Sequence, residues 1–120
     1  MSINFNSLTE EQKDKFKKLA NLQQSFEFLM AQIRQTEIDQ STTNVAIEEL
    51  EKISPEEVVY KSIGGILVKS KKNTMLDEKK SLKVTLEMRL KTLEQKKTRL
   101  ESQIKTLNNS LQSDLQNKNL

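Results

Sequence analysis

A chain of 120 residues with 34% apolar and 31% charged side chains, two glycines and one proline suits long helices with a narrow apolar seam better than a broad globular core. Histidine and cysteine are both absent, which excludes disulfide and thiolate chemistry and removes the commonest catalytic base and zinc ligand. The net charge of +3 conceals an asymmetry: residues 1–60 carry 6 basic and 11 acidic groups, residues 61–120 carry 14 and 6, and such opposite halves favour lying side by side.

The longest unbroken apolar run is Phe28-Leu29-Met30-Ala31, so no segment is expected to span a bilayer. The polar N-terminus lacks the layout of a secretory signal, and a cytoplasmic protein with one domain over residues 1–120 is expected. Residues 1–7 are polar with Ile3 and Phe5 embedded, and Ser7-Leu8-Thr9-Glu10 offers a capping box. A helix is expected from about residue 8 to 52, because no Gly or Pro interrupts it. A heptad frame fits, with Phe5, Gln12, Leu19, Phe26, Ile33, Gln40 and Ile47 at one seam position. Leu8, Lys15, Leu22, Leu29, Thr36, Thr43 and Leu50 take the other, and nine of the fourteen are apolar.

Ser54-Pro55-Glu56-Glu57 carries its own start signal and is expected to make at most one turn. A hairpin over about 58–70 then follows, since two β-branched, apolar-rich runs flank Gly64-Gly65 and a two-residue type I′ or II′ turn needs positive φ. The expected pairs are Ile63 with Ile66, Ser62 with Leu67, Lys61 with Val68, Tyr60 with Lys69 and Val59 with Ser70. Val59, Ile63, Ile66 and Val68 then share one face, and Val58, Tyr60 and Leu67 the other. An isolated hairpin with two apolar faces and two free edges asks for cover, so it reads as an assembly element that pairs with other chains. The alternative is a turn folded back on its own helices.

The polar run Ser70 to Thr74 is expected to release the chain into a second helix over about 74–116, capped by Asn73 or Thr74 with Asp77-Glu78 in its first turn. Its seam frame is Leu76, Lys83, Leu90, Lys97, Ile104 and Leu111 with Lys79, Leu86, Leu93, Leu100, Leu107 and Asp114, eight of twelve apolar. An antiparallel register satisfies both frames, joining Leu19 to Leu107, Leu22 to Ile104, Phe26 to Leu100, Ile33 to Leu93 and Leu50 to Leu76; a shift by one heptad also fits. Thr43 against Lys83, Ile47 against Lys79 and Gln12 against Asp114 are not expected to close a dry seam. Phe5, Leu8, Phe16, Leu111 and Leu115 are expected to exceed what the seam can bury, which would leave apolar groups exposed at the free helix ends.

A long helix, then Val59-Tyr60-Lys61-Ser62-Ile63-Gly64-Gly65-Ile66-Leu67-Val68-Lys69, then a second long helix resembles the β-type subunit of prefoldin, the archaeal and eukaryotic co-chaperone. The likeness covers nearly the whole chain. The single hairpin points to the β type and the Gly-Gly turn to the archaeal form. The fold class it implies is mainly α, two long helices in an antiparallel coiled coil whose hairpin assembles with other subunits into a β-barrel platform. It further implies a hexamer of two α-type and four β-type subunits that holds non-native client proteins at the coiled-coil tips without ATP and passes them to a group II chaperonin. On that reading Val58, Val59, Tyr60, Ile63, Gly64, Gly65, Ile66, Leu67 and Val68 form the assembly surface, and Phe5, Leu8, Phe16, Leu111 and Leu115 bind clients. The Asn-, Gln- and Ser-rich tail after Leu115 matches no motif.

Catalysis has little to rest on. Asp77-Glu78 and Glu48-Glu49 are adjacent carboxylates without a glycine loop or imidazole near them in sequence, so no catalytic residue, metal or cofactor is expected. The other function class is a basic coiled coil that binds nucleic acid or acts as a structural scaffold. Lys69, Lys71, Lys72, Lys79, Lys80, Lys83, Arg89, Lys91, Lys96, Lys97 and Arg99 give it a charge basis, but no aromatic residues interleave with them and acidic residues sit among them. A scaffold would leave the two-faced hairpin unexplained.

Overall fold

The computed structural model describes residues 5–118. Ile3 and the last two residues of the polar tail, Asn119 and Leu120, lie outside the described residues. A 3-10 turn at Phe5–Ser7 leads into helix α1, Glu10–Lys52; strands β1, Val58–Ile63, and β2, Ile66–Lys71, follow; helix α2, Lys72–Lys118, ends the chain. The fold is therefore two long helices with a two-stranded antiparallel hairpin between them. It divides into two compact units: a terminal unit, Met1–Gln32 with Leu93–Leu120, and a hairpin unit, Ile33–Thr92.

In the terminal unit the capping box sits two residues later than the sequence suggested. Gln12 N donates to Thr9 Oγ1 at 3.1 Å, and Thr9 N donates to Gln12 Oε1 at 3.0 Å, so each satisfies a backbone donor of the other. Ser7 cannot take that role because it lies inside the preceding 3-10 turn, which Leu8 N closes onto the Phe5 carbonyl at 3.2 Å. Glu10 and Glu11 occupy the first turn of α1, where the helix dipole favours negative charge. Of the expected seam positions in this unit, Leu8, Leu29, Leu93 and Leu111 are buried, ten others are half-buried, and Phe5 alone is exposed. Lys15, expected opposite Leu111, reaches Ser110 and Asp114 on either side of it, which supports the antiparallel register at that level.

In the hairpin unit the seam is drier than expected. Ile33, Thr36, Thr43, Ile47, Leu50 and Leu86 are all buried, and Leu86 at 1% exposure is the most enclosed. Burying a leucine so completely contributes about 2–3 kcal/mol. The layers of Thr43 and Ile47 close despite facing lysines. The Thr43 hydroxyl donates back to the Asp39 carbonyl at 2.7 Å and so needs no partner across the seam, Lys79 is half-buried, and Lys83 is fully turned to solvent.

Two helix boundaries also differ. Ser54 makes the single expected turn, its carbonyl accepting from Glu57 N at 3.0 Å. The second helix, however, begins at Lys72, directly after β2, so neither Asn73 nor Thr74 is a cap and Asp77-Glu78 fall beyond the first turn. The strand and helix can abut because Lys72 serves both: its backbone starts α2 while its ammonium donates to the Ile53 carbonyl at 2.6 Å, a cation placed just past the C-terminus of α1.

Candidate functional site: two apolar surfaces

The hairpin is built as its sequence dictates. Gly64 and Gly65 have φ of 54° and 82°, and two successive positive values are the signature of a type I′ turn, whose twist matches that of the strands. A Cβ at either position would meet no neighbouring atom, so the demand for glycine is conformational rather than steric. All five expected cross-strand pairs form, and Val58 with Lys71 adds a sixth.

Its side chains have almost nothing to pack against. Val58, Tyr60, Ile63, Ile66, Leu67 and Val68 are between 45% and 69% exposed, and only Val59 and Ser70, a facing pair, are half-buried. That disposes of a hairpin folded back on its own helices. Val59, Ile63, Ile66 and Val68 share one face and Val58, Tyr60 and Leu67 the other, so both faces and both strand edges stand open. From the middle of β1 Lys61 pairs with Glu78 of α2 at 2.9 Å, a half-exposed contact that orients β1 more than it stabilises it.

The terminal unit answers the sequence expectation unevenly. Leu8 and Leu111 are buried, at 6% and 3% exposure, so they are seam residues rather than surplus. The reason is the 3-10 turn, which brings the chain back over the end of α1 and adds a last apolar layer. Phe5 remains 48% exposed, while Phe16 and Leu115 are half-buried. The rings of Phe5 and Phe16 meet at 6.5 Å between centroids with a 58° tilt, and Lys13 Nζ lies 5.6 Å from the Phe5 centroid. Close by, Lys15 Nζ donates to Asp114 at 2.8 Å and to Ser110 at 2.9 Å. The hydrogen bond that Lys15 donates to Asp114 is the main reason its ammonium titrates above the usual lysine value, the carboxylate charge adding to the effect against some desolvation.

Exposed apolar side chains outside the seam were missed from sequence, chiefly Phe28 in the terminal unit and Ile38, Val45, Val84 and Met88 in the hairpin unit. The available signal was their place in the heptad: each falls outside both seam positions, where a side chain faces solvent unless something covers it. Among the described residues no cluster of His, Cys, Asp and Glu could hold a metal, and no helix is long and apolar enough to cross a membrane.

Helix, exposed hairpin and helix together have known counterparts. The sequence matches the prefoldin subunit family over residues 13–118. The chain belongs to that family. Prefoldin subunit beta of Archaeoglobus fulgidus is 37% identical over 95 residues, which is 79% of this chain and 82% of the relative. Prefoldin subunit beta of Pyrococcus furiosus is 32% identical over 97 residues, covering 81% and 83%. The crystal structure of the prefoldin beta subunit from Thermococcus strain KS-1 superimposes with a TM-score of 0.80 at 28% identity, over 91% of this chain and 96% of that one. The prefoldin match begins at residue 13, so the Phe5 hook and Leu8 precede it.

Proposed function

We propose that this prefoldin chain is a β-type subunit of a hexameric, ATP-independent chaperone. Its hairpin joins the hairpins of α-type subunits and further β-type copies, and the assembled complex holds non-native proteins before passing them to a group II chaperonin in the cytoplasm. One observation carries the assembly half of this reading: six large apolar side chains on a hairpin paired along its whole length are exposed on both faces in the single chain. Surface of that kind, with free strand edges, is what a multi-chain β structure consumes.

Client holding is assigned to the terminal unit. Exposed Phe5, with half-buried Phe16 and Leu115, offers a small apolar surface, and buried Leu8 and Leu111 support it from within the seam. Small patches on several subunits keep each chain soluble while a large client gains avidity.

Native mass spectrometry after mixing with an archaeal α-type subunit tests the assembly. A species of two α-type and four β-type chains is the expected result. A mixture that stays as separate chains would remove the platform reading.

A further inference from the structure

Two clefts open on the terminal unit, and together they form a groove with a chemistry of its own. The larger, about 570 Å³, has Leu22 and Leu107 as its floor, Ser102, Thr106 and Ser110 as its walls and Lys18 at its rim. The second, about 340 Å³, is floored by Leu29 and Leu100 and flanked by Phe28, Lys96 and Arg99. Gln103 lines both, so the clefts adjoin. Each volume is in the range that takes a small ligand or a pair of inserted side chains.

The heptad explains why the groove exists. Leu22, Leu29, Leu100 and Leu107 are seam residues, and on most coiled coils long flanking side chains would cover them. Here several flanks are short, Ser25 on α1 and Ser102, Thr106 and Ser110 on α2, so half-buried Leu22, Leu100 and Leu107 remain reachable from one side, with buried Leu29 lining the second cleft beneath them. Phe28, at 68% exposure, stands beside the opening with no seam layer to fill. The charges are one-sided: Lys18, Lys96 and Arg99 line the clefts, no carboxylate does, and none of the three forms an ion pair among the described residues. The nearby glutamates Glu27, Glu94 and Glu101 line neither cleft.

We propose that this groove binds apolar segments of non-native proteins that are flanked by acidic residues. Leucine and phenylalanine side chains of such a segment enter over Leu22, Leu29, Leu100 and Leu107, its main chain bonds to the wall hydroxyls, and its carboxylates meet Lys18, Lys96 and Arg99. This deepens the client-holding reading and rests on it, but it names a different surface from the Phe5 end and a selectivity that Phe5 does not supply.

The test uses the complex assembled with an α-type subunit and two short labelled peptides of the same leucine and phenylalanine core, one flanked by glutamates and one by lysines. The glutamate-flanked peptide is expected to bind about tenfold more tightly at low salt, several rim contacts of modest strength acting together. Lys96→Glu with Arg99→Glu should abolish or reverse that preference. Thr106→Leu, which fills the wall, should weaken both peptides without changing the mass or melting of the complex. Equal binding of the two peptides, or a preference that survives the charge reversal, overturns the proposal; so does tighter binding of single-stranded DNA that displaces the peptide. Suppression of aggregation by the unaltered complex is read in parallel. Its loss would sink the holding function, whereas the peptide preference stands or falls on its own measurement.

Discussion

The hairpin unit and the terminal unit handle their apolar residues in opposite ways. Around the hairpin, strand pairing is complete and burial is not: every pair from Val58–Lys71 to Ile63–Ile66 is formed, yet most of the side chains stand in solvent. In the terminal unit burial comes first. Leu8 and Leu111 are folded into the seam, a Thr9–Gln12 capping box and a Lys15–Asp114 pair clamp the helix ends, and among the described residues the large apolar side chains left exposed are Phe5 and Phe28. A surface that exposes a whole sheet is suited to a permanent partner, since leaving it open would invite indiscriminate edge pairing. One that exposes single aromatic rings beside charged groups is suited to contacts that form and break. On the function proposed above, assembly and holding differ in how much apolar area each unit leaves uncovered.

The largest effect that could break this comparison lies in the hairpin. Ile66→Asp or Val68→Asp places a carboxylate where the assembled structure would bury a side chain, at a cost of several kcal/mol per site. Because these residues are exposed in the single chain, the helices have no reason to respond. Size-exclusion chromatography should show loss of the hexamer while circular dichroism keeps most of its helical signal. If the oligomer persists unchanged, the hairpin faces are not the joint.

Much of this architecture was legible in the sequence because short-range rules dominate it. Gly64-Gly65 between β-branched runs left a two-residue turn of type I′ or II′ and one register, and the leucines at 86, 93, 100 and 107 set the seam of α2. What was not legible depends on contacts the frame does not encode. Ser7 and Thr9 both suit a cap, and only the 3-10 turn under Leu8 decides between them. Thr36 and Thr43 looked like breaks in the seam, but a threonine hydroxyl can return to its own helix, as Thr43 does to Asp39, and then its methyl packs as an apolar group. The two apolar faces of the hairpin followed from the alternation of its residues about that turn. The terminal site was misjudged at Leu8 and Leu111 because counting apolar residues against a two-helix seam ignored the extra layer that a returning N-terminal segment supplies.

That correction yields the next prediction, of intermediate size. Changing Phe5 to Ser and Leu8 to Ser separately should split two properties that would change together if both were surface residues. Leu8 is buried, so its replacement leaves a cavity and a hydroxyl in the last seam layer, and should lower stability by about 2–4 kcal/mol. Phe5 is half open and its ring meets Phe16 at a tilt beneath the Lys13 ammonium, so its loss should move the melting temperature little while reducing protection of an aggregating client. Melting curves and client light scattering on both variants read this directly. A Phe5 variant that melts early but protects fully would reverse the assignment of the two residues.

The smallest expected effect concerns the clamp at the helix ends. Lys15 and Asp114 are 2.8 Å apart with side chains 24% and 31% exposed, so solvent screens the pair and its contribution is modest. The sign of its pH dependence is nevertheless fixed. Folding raises the Lys15 value above the ordinary 10.5, chiefly through the hydrogen bond to Asp114, so the folded state holds the lysine proton more tightly than the unfolded chain does. The stabilisation is therefore fully present below the unfolded lysine value and fades as pH rises through the higher folded one. Asp114→Asn removes the charge while keeping a similar shape and an acceptor oxygen. Its melting temperature should lie slightly below that of the unaltered chain by a constant gap across neutral and mildly alkaline pH, and the gap should narrow only above the ordinary lysine value. Raised salt should shrink the same gap at neutral pH, because the contact is open to counterions. A gap that is insensitive to salt and persists into strong alkali would mean that Asp114 acts through packing against the end of α1, and that the charge on Lys15 contributes nothing to closing the helix ends.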